Sequence, residues 1–150
     1  RSDGSFASPK MPGEMPRHLQ VTLSPAAQRA LAEQGEDVMV SADWYGWPTR
    51  QDTEYANEIG AIDLGQAVIE MPRSHPTTRI SPPPWKAWKL KMLKNGVYAN
   101  VNVYSTRRHG PDNLLACDFA DGLLGELTGH VIPVHCSLIR ENLPTRQIAH

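Results

Sequence analysis

The sequence predicts an all-β protein, an antiparallel β-sandwich of about seven strands with one short peripheral helix. Short runs of alternating apolar and polar residues recur along the chain, turn residues separate them at near-regular spacing, and one clear helix signal lies near the N-terminus. Both a transthyretin-like and an immunoglobulin-like layout fit this pattern. A chain of 150 residues is long enough to bury roughly 70% of its unfolded surface in a single domain.

Composition divides the chain into three parts. We predict a flexible leader over residues 1–17, a β-sandwich domain over 18–142 and a mobile tail over 143–150. The leader is rich in Ser, Pro, Gly and Met without apolar periodicity, which is typical of a tether. Because the chain begins with Arg1, we expect a mature exported protein, tethered to a membrane through a lipidated residue upstream; a trimmed chain would begin in the same way.

The first strand and the helix have well-marked boundaries. Leu19–Leu23 alternates between apolar and polar residues, as a strand with one buried face requires. Ser24 can accept hydrogen bonds from free backbone N–H groups, and the proline that follows suits the first helical position. The helix is therefore predicted over Pro25–Gln34, with Gly35 as the left-handed residue that ends it.

Three further strands are predicted before residue 72. The first covers Asp37–Tyr45, and the Gly and Pro of Gly46–Arg50 are expected to end its ladder as a loop tip. The other two cover Glu58–Leu64 and Ala67–Met71, on either side of a turn at Gly65-Gln66.

Residues 88–104 carry the strongest local signal. Two alternating runs flank Asn95-Gly96, and a type I′ turn needs φ > 0 at both central residues, a conformation that Asn and Gly tolerate. We predict a β-hairpin in which Trp88 faces Val103 and Met92 faces Ala99, so that one face of the ladder is apolar.

The preceding segment, Pro72–Pro84, contains five prolines and is predicted to be an irregular surface connection. An alternative interpretation starts a helix at Pro84 that carries Trp85, Trp88 and Met92. We favour the hairpin because its turn residues and its cross-strand register agree.

The C-terminal third is predicted to contain two strands joined by a Gly-rich connection over Asp121–Gly129, with one helical turn as an option. Pro133 lies on the outer parity of the last strand, which indicates an edge position or a bulge. Their inner faces hold Leu115, Cys117 and Phe119 in one strand and Ile132, Val134, Cys136 and Leu138 in the other.

The only two cysteines, Cys117 and Cys136, fall on inner faces of sequential predicted strands. We predict a disulfide, which would stabilise the fold by roughly 3 kcal/mol in the chain-entropy model. Disulfides persist in oxidising compartments, so we expect the periplasm or cell envelope.

Charge is segregated along the chain, although the formal net charge is −1. Residues 30–70 contain nine acids and one base, a local charge of −8, whereas residues 71–110 contain eight bases and no acid. Either the two segments neutralise each other in the fold, or the basic segment steers an acidic partner or the anionic cell envelope. The lack of net positive charge and of a binding motif argues against a nucleic-acid partner.

Neither a metal site nor a catalytic site is predicted. His130 and His135 are five residues apart, so on a regular strand they point to opposite faces unless Pro133 forms a bulge. The sequence contains no Gly-x-Ser-x-Gly, no His-Glu-x-x-His and no Gly-rich phosphate loop. We therefore expect a protein that is not an enzyme and that uses no cofactor.

Two predicted loop tips carry Trp, Tyr and Arg, the residue types that dominate binding hot spots. The predicted binding residues are Tyr45, Trp47 and Arg50 in the first tip and Arg107, Arg108 and His109 in the second, cationic tip. The alternative for each tip is structural: Trp47 folds back onto the sandwich, and the arginines pair with the acidic segment.

Residues 101–108 read VNVYSTRR, and residues 112–117 read DNLLAC. With a polar leader, a sandwich-like pattern and one predicted disulfide, the chain resembles the small cell-envelope lipoproteins of Gram-negative bacteria over Leu19–Ile139. The resemblance concerns general layout and implies a lysozyme-inhibitor, immunity-protein or secretion-system role. No catalytic residue is carried over from it.

We therefore expect an exported envelope protein that binds another protein, as an inhibitor or immunity factor for a cell-wall-degrading enzyme. Its partner would then be a cell-wall hydrolase. The first alternative is a structural lipoprotein of a secretion or envelope assembly, which binds a secretion component. The second is a glycan- or peptidoglycan-binding module that uses Tyr45 and Trp47.

Overall fold

Two four-stranded sheets pack against each other in the computed structural model, which describes residues 17–50, 53–124 and 130–148. The strands are β1 (Arg17–Leu23), β2 (Val38–Pro48), β3 (Ile62–Met71), β4 (Thr77–Ile80), β5 (Leu93–Ser105), β6 (Leu115–Cys117), β7 (Ala120–Leu123) and β8 (Val131–Leu138), and the helices are α1 (Pro25–Gln34) and α2 (Ala87–Leu90). The first sheet has the order β4-β1-β8-β6, and the second β3-β2-β5-β7. The predicted sandwich is confirmed, although β1 and β8 pair in parallel, so the first sheet is mixed.

The core lies between the sheets, where the inward side chains of each strand meet. Strand β2 alternates strictly between buried and half-buried residues, and β1 between buried and exposed ones, as a period of two requires. The largest fully buried side chains are Leu19, Leu31, Val38, Val40, Ile62, Met71, Leu115 and Val134. The disulfide between Cys117 and Cys136 is present and joins directly paired residues of β6 and β8, as predicted.

Helix α1 has the predicted boundaries. The Ser24 side chain accepts a hydrogen bond from the backbone N–H of Ala27 at 3.1 Å, and Gly35 ends the helix in the left-handed conformation with φ of 69°. The Ser24 hydroxyl also donates to the carboxylate of Glu141 at 2.9 Å. This bond ties the start of α1 to the 3₁₀ turn that follows β8, Ile139–Glu141.

Strand β2 is longer than the sequence indicates. The segment Gly46–Arg50 does not end the ladder, because β2 continues to Pro48, which pairs with Leu93. The partners of β3 stop at Gly46, so β2 has a neighbour on one side only at Pro48 and the missing N–H of proline is tolerated there. At Gly46 a Cβ atom would lie 2.5 Å from the Leu93 side chain, so glycine permits this close packing.

The predicted turn at Gly65-Gln66 is wrong. Residues 62–71 form one continuous strand, β3, and the register with β2 shifts between Trp44 and Tyr45. Trp44 pairs with Gly65 while Tyr45 pairs with Asp63, which leaves Leu64 as an extra residue. Gly65, with φ of 128°, therefore forms a β-bulge, in which glycine is favoured for the same conformational reason as in a turn.

The predicted hairpin at Asn95-Gly96 is also wrong. Both residues have positive φ, 67° and 93°, as the turn prediction requires, but the chain does not reverse there. Tyr98 pairs with Tyr45 and Lys94 with Trp47, so β5 advances by four residues while β2 advances by two. The two extra residues form a bulge inside β5, and pairing with β2 along most of its length replaces the local hairpin.

The proposed first arm of that hairpin forms the short helix α2 and the turn that follows it, which is closer to the alternative helix at Pro84. Trp85 is buried in the core, whereas 43% of the Trp88 surface is exposed. Trp88 therefore does not face Val103 across a ladder, and the core residue of this segment is Trp85.

Two strands lie where connections were predicted. Strand β4 forms within Pro72–Pro84 and pairs with β1, and β7 occupies the start of the predicted Asp121–Gly129 connection and pairs with β5. Residues 125–129 lie outside the described part of the chain. Strand β8 pairs with β1 at Pro133, but its other neighbour, β6, pairs only with residues 136–138. Pro133 therefore lies at a local edge of the sheet, one of the two positions predicted for it.

Both predicted terminal segments fall partly outside the described residues. Residues 1–16 of the leader and residues 149–150 of the tail are not described. The described part of the predicted tail hydrogen bonds to the domain: the N–H of Phe119 donates to the carbonyl of Arg146, and the N–H of Ile148 donates to the carbonyl of Phe119 at 2.7 Å.

Candidate functional site

The two predicted binding tips lie at opposite ends of β2. The cationic tip is beside Asp37, just before β2 begins, because Arg108 Nη1 lies 3.2 Å from an Asp37 carboxylate oxygen. Trp47 is ten residues further along the chain, at the far end of the strand. At about 3.3 Å per residue the tips are separated by roughly 30 Å. They therefore cannot contact the same small ligand.

A buried carboxylate holds the backbone of the cationic tip. Glu36, which is 2% exposed, accepts hydrogen bonds from the Thr106 hydroxyl at 2.6 Å and from the backbone N–H groups of Arg108 and His109 at 3.0 and 2.8 Å. The Thr106 hydroxyl, followed by these N–H groups, lowers the pKa of Glu36 to about 2 despite the opposing effect of burial. The tip is thus fixed by Glu36, which lies between α1 and β2.

The charged side chains of this tip contact the acidic segment. Arg108 bridges the carboxylates of Asp37 and Glu70, and Asp37 also accepts from the backbone N–H of Arg73. The backbone bond of Arg73 is the main reason that the pKa of Asp37 is lowered. At this end the basic and acidic segments do pair, which favours the structural alternative for Arg108.

The other two residues of the cationic tip also have contacts within the domain. The guanidinium of Arg107 lies 5.7 Å from the centre of the Tyr104 ring, and the His109 ring covers Gly35, where a Cβ atom would lie 3.2 Å from it. All three residues are exposed, and the contact described for the Arg107 side chain is with the Tyr104 ring.

Aromatic rings cluster on the outer face of the second sheet. The Tyr45 ring stacks on Tyr98 with centroids 5.4 Å apart, and it meets Trp47 edge to face at 5.6 Å. The Tyr45 hydroxyl donates to Asp121 on β7 at 2.9 Å. Burial, with a smaller contribution from Asp121, raises the pKa of Tyr45 to about 12, so the hydroxyl stays protonated and remains a donor.

A groove of about 500 Å³ opens beside these rings. We call it the ring groove; it is lined by Asp43, Trp44, Tyr45, Trp47, Asn57, Ile59, Ala61, Asp63, Asn100 and Asp121. One wall is the sheet face, and the other is a loop whose Asn57 side chain accepts from the N–H groups of Ile59 and Ala61 at 3.1 and 3.0 Å. These bonds shape the wall without any ligand.

The described lining of the ring groove carries three aspartates and no basic side chain. Desolvation, followed by repulsion from Asp63, raises the pKa of Asp43. The Tyr45 hydroxyl occupies one oxygen of Asp121. The groove therefore offers hydrogen-bond acceptors in a negative field.

A second aromatic feature was not singled out from the sequence. Tyr55 and Trp88 contact each other edge to face at 5.1 Å, yet 52% and 43% of their surfaces are exposed. Ile59, 74% exposed, is on the same loop as Tyr55. We call these three residues the exposed patch. The alternative helix at Pro84 places Trp88 with Trp85 and Met92 and does not indicate an exposed ring, and no local pattern pairs Trp88 with Tyr55.

A shallow pocket of about 470 Å³ lies next to the exposed patch. It is lined by Pro48, Thr49, Arg50, Thr53, Glu54, Tyr55 and Met92. Arg50, a predicted binding residue, lines this pocket together with Tyr55 of the exposed patch. The pocket combines apolar and polar side chains with charges of both signs.

Within residues 17–50, 53–124 and 130–148, no group of three or more His, Cys, Asp or Glu side chains is arranged to hold a metal ion. In the same ranges no helix has the length and apolar character that a membrane crossing requires. Comparisons with protein-family models, with curated proteins and with solved structures find no match to this chain.

Proposed function

We propose that this protein is a non-enzymatic, exported binding domain whose exposed patch engages a protein partner in the cell envelope. The observation that carries the proposal is the pair formed by Tyr55 and Trp88. Two large rings stay about half exposed although they contact each other. Solvent exposure of such apolar area is unfavourable, and contiguous exposed patches mark interaction surfaces.

The surroundings of the pair support a protein as the partner. Interface hot spots are enriched in Trp, Tyr and Arg and are placed beside pockets that a partner side chain fills. Tyr55 lines the 470 Å³ pocket together with Arg50. Lys89 lies 5.8 Å from the Trp88 ring, and Glu54 is on the pocket wall, so the rim carries both charge signs. Because charges of both signs surround the apolar rings, this surface suits a protein partner better than a partner whose surface is uniformly anionic.

The more specific form of the proposal is an inhibitor or immunity factor for a cell-wall-degrading enzyme. The disulfide between Cys117 and Cys136 supports export, because such bonds persist outside the reducing cytosol. The internal pairing of Arg108 moves our expectation of the binding surface from the cationic tip to the exposed patch. A structural role in a secretion or envelope assembly predicts the same surface with a secretion component as its partner.

The test uses the full chain as bait in envelope extracts, in three versions: native, Tyr55→Ala with Trp88→Ala, and Val131→Ala. Val131 is an exposed apolar residue on a different sheet, 44% exposed, and serves as the matched control. We expect one partner to be retained by the native chain and by the control. With the purified partner, the double variant should bind at least about tenfold more weakly.

Equal binding by all three versions would contradict the exposed patch as the binding surface. If Arg107→Ala alone weakens binding, the cationic tip is the surface instead. The identity of the captured protein separates a hydrolase, which supports the inhibitor proposal, from a secretion component, which supports the structural alternative.

A further inference from the structure

We propose that the ring groove is a second binding site, for an uncharged saccharide made of linked hexose or N-acetylhexosamine units. Tyr45 and Trp47 are the rings at its surface, and Tyr98 stacks on Tyr45 from the neighbouring strand. The ring groove shares Ile59 with the exposed patch, but Tyr55 and Trp88 are not among its described lining residues. The inference depends on the arrangement of rings and polar side chains in parallel rows on the outer face of the second sheet.

The polar row crosses three strands. Asp43 on β2 pairs directly with Asn100 on β5, and Asn100 pairs directly with Asp121 on β7. Neighbouring strands are about 4.8 Å apart, so the three side chains form a line of roughly 10 Å. A ligand with a single polar group cannot use such a line, whereas a saccharide presents hydroxyls along its whole length.

The ring row runs beside it. Tyr45 is directly opposite Tyr98 in the register, and Trp47 lies two residues further along β2, beside this pair, where its ring meets Tyr45 edge to face. Aromatic rings supply flat apolar surface. The C–H faces of a hexose ring match such a surface, while its equatorial hydroxyls point sideways toward the polar row. Binding sites for small ligands combine apolar walls with a few placed polar groups in the same way.

Most side chains of the polar row accept hydrogen bonds, so the row favours a ligand that donates them. Ionised Asp43 and Asp121 accept hydrogen bonds only. Asn100 already accepts from the Asn102 side-chain amide at 2.6 Å, so its own NH₂ group is left to donate. Asp43 already has the Gln66 and Ser41 side chains as hydrogen-bond partners, and Asp121 has Tyr45. A saccharide hydroxyl both donates and accepts, so it can use the remaining acceptor positions together with the Asn100 NH₂ group.

The negative field excludes other ligands. The described lining residues include three aspartates and no basic residue, while Lys89 reaches the Asp63 carbonyl at 3.3 Å and Lys94 is paired with Trp47 at the edge of the groove. On the polar row itself, the carboxylates of Asp43 and Asp121 disfavour phosphates, sulfated sugars and uronic acids. A cationic side chain would be attracted, but one charge would use only part of the row, and one carboxylate oxygen is already engaged by Tyr45. The spread of the polar groups therefore favours a neutral, extended ligand.

The groove has room and a stable shape. Its volume of about 500 Å³ is within the range of small-molecule sites. The loop opposite the sheet is braced by Asn57, and Tyr45 is braced by Tyr98 and by Asp121. A preorganised site loses less ordering entropy when its ligand binds.

The experiment titrates the full chain with chitohexaose, cellohexaose and maltohexaose, and follows binding by calorimetry and by Trp fluorescence. Polygalacturonate and a hexa-arginine peptide are the charged comparison probes. We expect at least one neutral oligosaccharide to bind with Kd below about 1 mM and the polygalacturonate not to bind.

Four variants locate the site. Trp47→Ala and Asp43→Ala should each weaken saccharide binding by about tenfold or more. Tyr45→Phe keeps the ring but removes the hydrogen bond to Asp121, so it should weaken saccharide binding less than Trp47→Ala does. Trp88→Ala removes a ring of the exposed patch and should leave saccharide binding unchanged, so that this test and the protein-partner test can fail separately.

Circular dichroism of each variant confirms that the fold is retained. The inference is overturned if none of the neutral oligosaccharides binds at about 10 mM, or if Trp47→Ala binds them as well as the native chain does. Binding of hexa-arginine without binding of any saccharide would also overturn it and would identify the ring groove as a cation site.

Discussion

The hydroxyl of Thr106 donates a 2.6 Å hydrogen bond to the carboxylate of Glu36, a residue 70 positions earlier in the chain. Because the same carboxylate also accepts from the backbone of Arg108 and His109, the cationic tip is held by several bonds to one buried group. Buried acceptors of this kind are costly to leave unpaired and stabilise a single loop conformation. The tip is therefore primarily a structural element that closes the end of the second sheet.

We predict that stability falls in acid because of Glu36. Its pKa is about 2 in the folded protein, against an ordinary value of 4.5. A lowered folded pKa stabilises the fold fully above the unfolded pKa, and this contribution decreases as the pH falls from about 4.5 toward 2. Thermal unfolding followed between about pH 7 and pH 2 should show this loss.

The matched variants for this prediction are Glu36→Gln and Glu33→Gln. Glu33 is exposed on α1 and serves as the control carboxylate of the same helix end. Glu36→Gln should lower the melting temperature near neutral pH and reduce its further fall in acid. Part of that fall will remain, because the lowered pKa values of Asp37 and Glu141 act in the same direction. If the melting temperature of Glu36→Gln falls in acid as steeply as that of the native chain, the assignment to Glu36 is contradicted.

Adjacent arginines should differ in their effect on stability. Arg108→Ala removes contacts with both Asp37 and Glu70 and should lower the free energy of unfolding slightly, since exposed ion pairs contribute little each. Arg107→Ala removes one ring contact and should change it by less than about 0.5 kcal/mol. Urea unfolding at low and high salt measures both. The effect of Arg108→Ala should shrink at high salt, and equal effects of the two variants would refute the pairing.

Reduction of the disulfide should destabilise the domain. Cys117 and Cys136 are separated by 19 positions, so the chain-entropy model assigns the cross-link about 3 kcal/mol. Melting curves with and without reductant should therefore differ for the native chain. The variant Cys117→Ala with Cys136→Ala should melt near the reduced native chain and should not respond to reductant. A native chain that is equally stable with and without reductant would show that the bond contributes nothing.

Local signals in the sequence were sufficient for the sandwich class, α1 and the disulfide. Ser24 and Gly35 mark the ends of α1 by chemistry that acts within a few residues, and strict alternation in β1 and β2 reflects one buried face. Trp85 and Trp88 show the limit of such signals. Both fit a helix or a strand, and only packing in three dimensions buries one and exposes the other.

The candidate sites are built from residues that are far apart in sequence. The sequence could therefore indicate single residues by their type, but not the neighbours that complete each site. Tyr45 and Trp47 were identified by residue type, but their neighbours Tyr98 and Asp121 come from β5 and β7. Tyr55 meets Trp88 across 33 positions (from 55 to 88) with no repeating pattern between them. Arg108 was predicted to bind a partner from its residue type, with pairing to the acidic segment as the alternative. Its partners Asp37 and Glu70 are distant in sequence, so no local pattern could name them.

The bulge in β5 supplies the last prediction, which concerns Gly96. Its φ of 93° is strained for any residue with a side chain, although a Cβ atom added there would meet no other atom within 4 Å. Gly96→Ala should therefore lower the free energy of unfolding by about 1–2 kcal/mol through backbone strain alone. Gly110→Ala is the matched control, since Gly110 has equally open space and lacks positive φ. It should change the free energy of unfolding by less than about 0.5 kcal/mol in the same urea titration.

Because the bulge positions Lys94 opposite Trp47, Gly96→Ala should also perturb the Trp fluorescence of the ring groove, and Gly110→Ala should not. Equal stability of the two variants would contradict a left-handed conformation at Gly96.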